Sequence, residues 1–462
     1  MYKEILTLGV APTKRGFLSM EEAKRQKDRF MKVVRSFEGD IIKIVDLDDV
    51  TENGIMFEMN KVPQAVAKFQ EAKIDALFVP FCDFGEESVV ASIAKEFAVP
   101  VLVWGSRDEF PNTDLVRGRD TQCGMFAATK VLARHGIKYS YIYNVDTDSK
   151  EFREGFDRFL RVALVLKSLK RLRIAKVGER PTPFMSVMAN DANLLTKFGI
   201  TVVPISPFSI VKLAKEIVAE NGEEFASYYN DLTSRMDASE TEEEVTKNIA
   251  GIRIALAQLM ERAGCTAAAM ECWPAFPELA GFSPCTAMGE LADLGYPCSC
   301  ETDMNGAVTM AILRACGEFA DAPFLADLTI RHPENDNAEL LWHCGPFPYS
   351  LKDPASKARL VAGQERFEMK GGNLTIARFD EIDGEYVIFS GEGIKVEGPE
   401  TNGTYVWLEV KDWKTWEEKL IFGPYIHHVG GIYGSYHAVL REVARYLGIR
   451  FDDADKQGIY SL

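Results

Sequence analysis

The hydrophobic and polar positions of the first 150 residues follow two alternating patterns. Short apolar runs are typical of buried strands, and amphipathic stretches between them are typical of helices. Because strands and helices alternate, this region predicts a parallel sheet with right-handed crossovers. Ligands collect at the carboxyl ends of such strands, where the segments PFCDFGEES and WGSRDE fall. The strand-like runs are EILTLGVA, DIIKIVDL, DALFVPF, VPVLVWG and KYSYIYN.

A long helical pattern from Ser149 to about Leu172 leads into a second alternating region. Helical patterns again separate short apolar runs, which predicts a second α/β domain. We expect its strand-like runs to lie in one sheet, with their polar ends on one edge. These runs are RIAKVG, TVVPIS, TAAAMECWP, YPCSCETD, APFLADLTI and AELLWHCG.

The pattern changes after about Pro346. The runs NLTIARFD, GEYVIFSGEG and TYVWLEV are separated by GG, DG and NG dipeptides, which indicates hairpins in a small antiparallel sheet or barrel. A helix, SYHAVLREVARYLGI, follows. We therefore predict an α/β fold class: two doubly wound parallel-sheet domains followed by a small C-terminal antiparallel β domain. The predicted boundaries are 1–155, 156–345 and 346–462, which suits 462 residues at about 150 per domain.

Composition and charge narrow the range of partners. The formal charge is −16, from 69 acidic and 53 basic residues, which argues against nucleic acid and against an acidic membrane surface. There is no signal-peptide pattern and no apolar run near 18 residues. Nine cysteines in such a chain indicate reduced thiols. We expect a cytoplasmic protein with a small-molecule substrate.

Ligand-type side chains mark the apolar runs of the second region. Glu301 follows YPCSC, Asp327 follows APFLA, and His343 follows LLW. Carboxylates with one or two imidazoles suit Mn²⁺ or Mg²⁺-like ions better than thiolate-bound zinc. Taken singly, Glu301 could be a helix N-cap and His343 a core histidine. At three successive strand ends of one sheet, these residues indicate a metal site.

The dipeptide His427-His428 is a further source of ligands. Adjacent residues in a strand point to opposite faces, so we expect at most one of these two rings to face the site. The sequence otherwise contains no P-loop, HExxH or GxSxG motif.

Several of these segments resemble the L-fucose isomerase and L-arabinose isomerase superfamily, most closely the shorter L-fucose isomerase-like proteins. The resemblance covers essentially the whole chain and is strongest over 265–345. The segments that carry it are ECWPAF, PCTAMGELADLGYPCSCETDMNGA, ADLTI, WHCG and, nearer the N-terminus, DTQCGMFAATKVLARHGIKY.

The resemblance implies a ligand set. Glu301 and Asp327 match the family's two acidic metal ligands, which also act as acid and base. His343 and His428 match the histidines of arabinose isomerases, whereas fucose isomerases use one histidine ligand. Both patterns stay open, with both histidines near the metal. The implied ion is Mn²⁺, or another divalent metal such as Mg²⁺ or Co²⁺.

The chemistry fits these residue types. Aldose–ketose isomerisation through a cis-enediol moves a proton between C1 and C2 and places negative charge on two adjacent oxygens. A divalent metal that chelates O1 and O2 stabilises this charge, and two carboxylates transfer the protons. We therefore expect a metal-dependent aldose–ketose isomerase that needs no nucleotide cofactor.

The sequence defines the substrate pocket less well than it defines the metal site. Candidate substrate residues are Arg15, Trp104, Gln122 and Trp273, although a tryptophan in the core is an equal alternative for Trp273. Fucose-like, arabinose-like and modified sugars all fit. A sulfonated hexose is an alternative if Arg15, Arg107 or Arg119 enters the pocket. The resemblance also implies a homo-oligomer, often a hexamer.

Two hypotheses from other functional classes remain open. Two α/β domains with a cleft also describe a non-catalytic sugar-binding protein, which would not need two carboxylates and histidines at strand ends. A metal-dependent hydrolase or aldolase could use the same residues, and its products would be fragments instead of an isomer.

Overall fold

Residues 3–111, 113, 115 and 117–458 are described by a computed structural model, and the chain divides into two units. The N-terminal unit spans Lys3–Lys167, and the C-terminal unit continues from Ser168. The boundary falls near the end of a long helix. Among the described residues, no helix is both long enough and apolar enough to cross a membrane.

The N-terminal unit is built on a parallel five-stranded sheet in the order β2-β1-β3-β4-β5. Every residue of its central strand β3 is buried, as expected of a strand covered by helices on both faces. All five strands coincide with the predicted apolar runs. The elements are β1 (Leu6–Val10), α1 (Met20–Arg35), β2 (Ile42–Val45), α2 (Val62–Ala72), β3 (Ala76–Phe81), α3 (Glu87–Ala94), β4 (Val101–Gly105), α4 (Thr121–Arg134), β5 (Tyr139–Tyr141) and α5 (Lys150–Arg171).

The C-terminal unit begins with a second parallel sheet, of four strands in the order β7-β6-β8-β9. Buried alanines in β8 and cysteines in β9 give its core small side chains. The elements are β6 (Arg173–Val177), α6 (Asp191–Phe198), β7 (Thr201–Ile205), α7 (Pro207–Glu220), α8 (Glu223–Arg235), α9 (Glu243–Ala263), β8 (Ala267–Met270), α10 (Ala275–Ala280), α11 (Cys285–Asp293), β9 (Cys298–Cys300) and α12 (Met304–Cys316).

The remaining strands form a mostly antiparallel nine-stranded sheet. An additional pairing of β15 with β16 closes six of the strands into a barrel, in the order β16-β11-β10-β17-β14-β15. The elements are β10 (Phe324–Arg331), β11 (Ala338–His343), β12 (Arg359–Val361), β13 (Gln364–Glu368), β14 (Asn373–Ile382), β15 (Glu385–Val396), β16 (Thr404–Val410), α13 (Trp413–Phe422), β17 (His428–Tyr433), α14 (His437–Leu447) and β18 (Arg450–Asp453).

The predicted fold class is confirmed: two parallel sheets with helices precede an antiparallel, barrel-like sheet. The placement of two strands was wrong. The runs APFLADLTI and AELLWHCG were expected in the second parallel sheet, but β10 and β11 pair antiparallel with each other inside the barrel. An apolar run does not encode its partner strand, since buried strands of parallel and antiparallel sheets have similar compositions.

Candidate active site and metal centre

Glu301 lies in a strained turn between β9 and α12. The φ angles of Glu301 and Thr302 are 60° and 55°, in the left-handed region that residues other than glycine seldom adopt. Such strain persists where the surroundings hold it and is common at functional sites. Asp303 then caps α12, because its Oδ1 accepts a hydrogen bond from the Gly306 N–H at 2.8 Å. The turn thus fixes the Glu301 carboxylate above the end of the second parallel sheet.

Asp327 lies within β10, not at a strand end as the sequence predicted. It is opposite His428 of β17 on one side and opposite Trp342 of β11 on the other. Directly opposed residues of antiparallel strands have neighbouring side chains. The barrel therefore brings Asp327 and His428 together, and His343 is the next residue along β11.

The four predicted metal ligands meet at one point. The Nε2 atom of His428 is 3.1 Å from Glu301 Oε2 and 3.4 Å from Asp327 Oδ1. The Nε2 atom of His343 is 3.9 Å from the same Asp327 oxygen. Each of these four atoms is buried and makes no hydrogen bond among the described residues. The cluster joins the end of the parallel sheet to the barrel.

His427 also belongs to this cluster, contrary to the expectation that only one ring of the pair would face it. Its Nε2 is 3.9 Å from Asp327 Oδ1, and Asp327, His427 and His428 together could hold a metal ion. Strand β17 begins at His428, so the alternation rule for strand residues does not apply to His427. Its side chain is 45% exposed, which places it on the open side of the cluster.

A buried ion pair orients His428. The Nδ1 atom of His428 lies 2.9 Å from Asp303 Oδ2, and the other Asp303 oxygen accepts from Arg378 Nη2 at 3.1 Å. A carboxylate accepts only, so His428 carries a proton on Nδ1 and turns Nε2 towards Glu301 and Asp327. Carboxylate-oriented histidines of this kind are usual in metal sites. The sequence motif CETDMNG contains Asp303 but did not show that it would face a histidine.

The electrostatics of the cluster favour ionised carboxylates. Burial raises the pKa of Glu301, but the imidazole of His428 beside it outweighs burial and lowers that pKa. Burial likewise opposes ionisation of Asp303, and Arg378 and His428 together hold its pKa well below the usual range. Burial lowers the pKa of His428, but Asp303 and Glu301 raise it to about 9. The carboxylates thus stabilise positive charge on the imidazole beside them.

Two aromatic side chains form an apolar wall beside the carboxylates. Trp273 donates its indole N–H to Glu301 Oε1 at 3.2 Å, so the structure brings this predicted substrate residue to the cluster. The ring of Phe184 lies 5.5 Å from that of Trp273 and 6.4 Å from that of His428, between ring centres. Sequence analysis did not single out Phe184, which precedes a 3₁₀ turn of no distinctive pattern.

The other predicted substrate residues belong to the N-terminal unit. Trp104 is fully buried and its ring lies 4.3 Å from that of Phe152, which contradicts its predicted role because no ring face is open to a sugar. Arg15 pairs with Glu86 at 3.1 Å. Gln122 is exposed in the first turn of α4. The roles of Arg15 and Gln122 remain predictions.

Comparisons with known proteins indicate relatives of this chain. Residues 9–170 match the N-terminal domain of the fucose/sulfoquinovose isomerases. A sulfoquinovose isomerase of Priestia aryabhattai is 27% identical over 387 residues, covering 82% of this chain and 85% of the relative. A sulfoquinovose isomerase of Alkalicoccus urumqiensis is 25% identical over 346 residues, covering 73% and 76%. The named activities of these relatives indicate an aldose–ketose isomerase, as predicted. These matches support the resemblance to the fucose isomerase-like proteins that the sequence segments indicate.

Solved structures add little. A solute-binding protein of an ABC transporter from Bacillus halodurans C-125, with bound myo-inositol, is 14% identical to this chain. The match covers 68% of this chain and 90% of the transporter protein. The TM-score is 0.17. At this value the likeness carries no argument for a sugar-binding role.

Proposed function

We propose that this protein is a metal-dependent aldose–ketose isomerase whose substrate is a sulfonated hexose. The observation that carries the reaction type is the meeting of Glu301, Asp327 and His428 at one buried point. The sulfonated substrate is supported by the relatives, which are named sulfoquinovose isomerases. The sequence alone predicted an isomerase of an unspecified sugar, with a sulfonated hexose as the alternative. The proposal adopts that alternative.

The donor atoms of the cluster fit a divalent metal. Glu301 Oε2, Asp327 Oδ1 and His428 Nε2 are buried without hydrogen-bond partners, which is costly unless a ligand satisfies them. Two carboxylates and one imidazole suit Mn²⁺, and also Mg²⁺ or Co²⁺. We propose that these three residues hold the ion. When bound, it would supply positive charge beside the two sugar oxygens on which enediol charge develops.

The carboxylates are placed for proton transfer. Trp273 donates to Oε1 of Glu301 and so orients this carboxylate, whose Oε2 faces His428. One carboxylate of the Glu301 and Asp327 pair takes the proton from C2 of the sugar and returns it to C1. The other carries the hydroxyl proton between the two oxygens. The aromatic wall of Phe184 and Trp273 excludes water on one side.

A sulfonate group requires a cationic partner. Arg15, Arg117 and Arg119 line a cavity of about 230 Å³ in the N-terminal unit. Arg15 is the strongest candidate because its side chain is partly exposed and its guanidinium rests on the ring of Phe84 at 4.4 Å. Arg15 would serve the active site of a neighbouring subunit in the homo-oligomer that the resemblance implies, and a sulfonate there would compete with Glu86 for this guanidinium. We propose that Arg15→Gln weakens turnover of a sulfonated sugar more than turnover of a neutral one.

A panel of sugars tests the proposal. Sulfoquinovose, glucose, L-fucose and L-arabinose are incubated with the protein and Mn²⁺, and the ketose is followed by NMR. We expect sulfoquinovose to react fastest. Glu301→Gln should lower turnover at least about 100-fold, whereas the surface control Glu220→Gln, at the exposed end of α7, should not.

Three outcomes would overturn the proposal. Tight binding of the sugar without conversion under any divalent metal would indicate a binding protein. Release of two fragments would indicate an aldolase. Preference for a neutral sugar would retain the isomerase and reject the sulfonated substrate.

A further inference from the structure

His343 and His428 both lie near the Asp327 carboxylate, but their Nδ1 atoms have opposite hydrogen-bonding roles. The backbone N–H of Cys344 donates to His343 Nδ1 at 2.9 Å. The Cys344 sulfur lies 3.2 Å from the same nitrogen. In His428, by contrast, Nδ1 donates to the Asp303 carboxylate. The two neighbours thus select different tautomers in the two rings.

The tautomer decides what each Nε2 atom can do. A neutral imidazole has one protonated nitrogen and one lone pair, and only the lone pair can bind a metal. When its ring is neutral, His428 has its lone pair on Nε2, at the centre of the cluster, because Asp303 holds the proton on Nδ1. His343 has its lone pair on Nδ1, occupied by Cys344, so its Nε2 carries the proton. Ligation through Nε2 would require a proton on Nδ1, facing the Cys344 N–H.

We infer that His343 is not a metal ligand and instead presents an Nε2–H to the substrate. This inference rests on the proposed isomerase function. The Nε2 atom is buried, has no hydrogen-bond partner among the described residues, and at 3.9 Å is too far from Asp327 Oδ1 to donate to it. This N–H would donate to a sugar oxygen bound beside the carboxylates.

The Nε2–H would act on the oxygen that changes between carbonyl and hydroxyl. Negative charge develops on this oxygen in the enediol, and a fixed N–H donor in a buried site stabilises it. Removal of one such donor costs about 10²–10³ in kcat in other enzymes. His343 would therefore be a catalytic residue, whereas His428 holds the metal and Asp303 positions His428.

Binding of Mn²⁺ to metal-stripped protein separates these roles without an activity assay. Free Mn²⁺ is measured by electron paramagnetic resonance for wild type, His343→Gln and His428→Gln. We expect His343→Gln to bind Mn²⁺ within about threefold of wild type and His428→Gln to bind at least about 100-fold more weakly. With sulfoquinovose and saturating Mn²⁺, His343→Gln should lose about 10²–10³ in kcat.

Spectroscopy of the bound ion gives the second readout. Spin-echo modulation of bound Mn²⁺ should show an imidazole nitrogen that disappears in His428→Gln and none that disappears in His343→Gln. A nitrogen signal lost in His343→Gln, or equal loss of Mn²⁺ affinity in both variants, would overturn the inference.

A measurement on wild type covers the case in which a variant does not fold. Nitrogen-15 NMR of the Mg²⁺-loaded protein should show His343 protonated at Nε2 and unprotonated at Nδ1; the reverse would overturn the inference. Absence of isomerase activity in wild type would reject the proposed function alone, because the Mn²⁺ and tautomer results do not depend on turnover.

Discussion

At the scale of single residues, the chemistry depends on which oxygen of each carboxylate is free. Glu301 is held by Trp273 through one oxygen and faces His428 with the other. The sequence predicted that Glu301, Asp327, His343 and His428 would meet, and the structure brings them together. The sequence could not predict that His427 would join the cluster, because this depends on where β17 begins. It could not predict the role of Asp303, because this residue contacts His428, 125 residues further along the chain.

Trp273→Phe tests the hydrogen bond to Glu301. The variant keeps an aromatic ring but removes the N–H that fixes Oε1, and a hydrogen bond to a charged group contributes about 1.5–3 kcal/mol. We expect kcat/KM to fall at least about tenfold. Trp407→Phe is the matched control, since its indole N–H donates to Pro399 outside the cluster. Steady-state kinetics decide the matter, and equal rates for the two variants would contradict the role of Trp273.

We expect the buried carboxyl group of Glu339 to make the stability of the folded protein depend on pH. It is buried in β11, where burial and the nearby Glu417 raise its pKa from 4.5 to about 7. The folded state therefore holds this proton more tightly than the unfolded state. Its contribution to stability is fully present below about pH 4.5 and is lost as the pH rises through 7.

Glu339→Gln removes this titration. Relative to wild type, the variant should gain stability between pH 5 and pH 8, by on the order of 2 kcal/mol. Urea unfolding followed by tryptophan fluorescence measures it, because five of the six tryptophans lie in the C-terminal unit. An offset between the two proteins that does not change with pH would show that Glu339 is not the titrating group.

At the scale of elements, the ion pair of Asp303 and Arg378 joins the N-terminus of α12 to strand β14. Both side chains are buried, and Asp303 also holds His428 of β17. Arg378→Met should destabilise the protein by about 3–5 kcal/mol, because it removes the guanidinium that pairs with the buried carboxylates of Asp303 and Asp380. Chemical denaturation measures the loss. The double variant Asp303→Asn with Arg378→Met should recover part of it, and no recovery would mean that lost packing dominates.

The elements themselves were largely predictable, but their partners were not. The five strands of the N-terminal unit follow from apolar runs separated by amphipathic helices, and adjacent β-α-β units pair locally. Strands β10 and β11 have the same local signal, yet they pair with strands far along the chain. Asp327 was therefore expected at a sheet edge, and it is found within the barrel wall.

At the scale of the whole molecule, all proposed metal ligands belong to the C-terminal unit. Mn²⁺ should therefore protect backbone amides of β9, β10 and β17 from hydrogen exchange, because a ligand that binds only the folded state suppresses local opening. Mass spectrometry with and without EDTA measures this. Protection confined to the N-terminal unit would place the metal elsewhere. The homo-oligomer that the resemblance implies, often a hexamer, stays a prediction, which light scattering would test.

The most direct test of the central claim is the conversion of sulfoquinovose to its ketose, followed by NMR. Metal-stripped protein, Mn²⁺-loaded protein and Mn²⁺-loaded Glu301→Gln are compared at equal concentration. We expect rapid ketose formation by the Mn²⁺-loaded wild type and none by the metal-stripped protein. Glu301→Gln should be at least about 100-fold slower than wild type. Equal conversion by the metal-stripped protein, or full turnover by Glu301→Gln, would contradict the account.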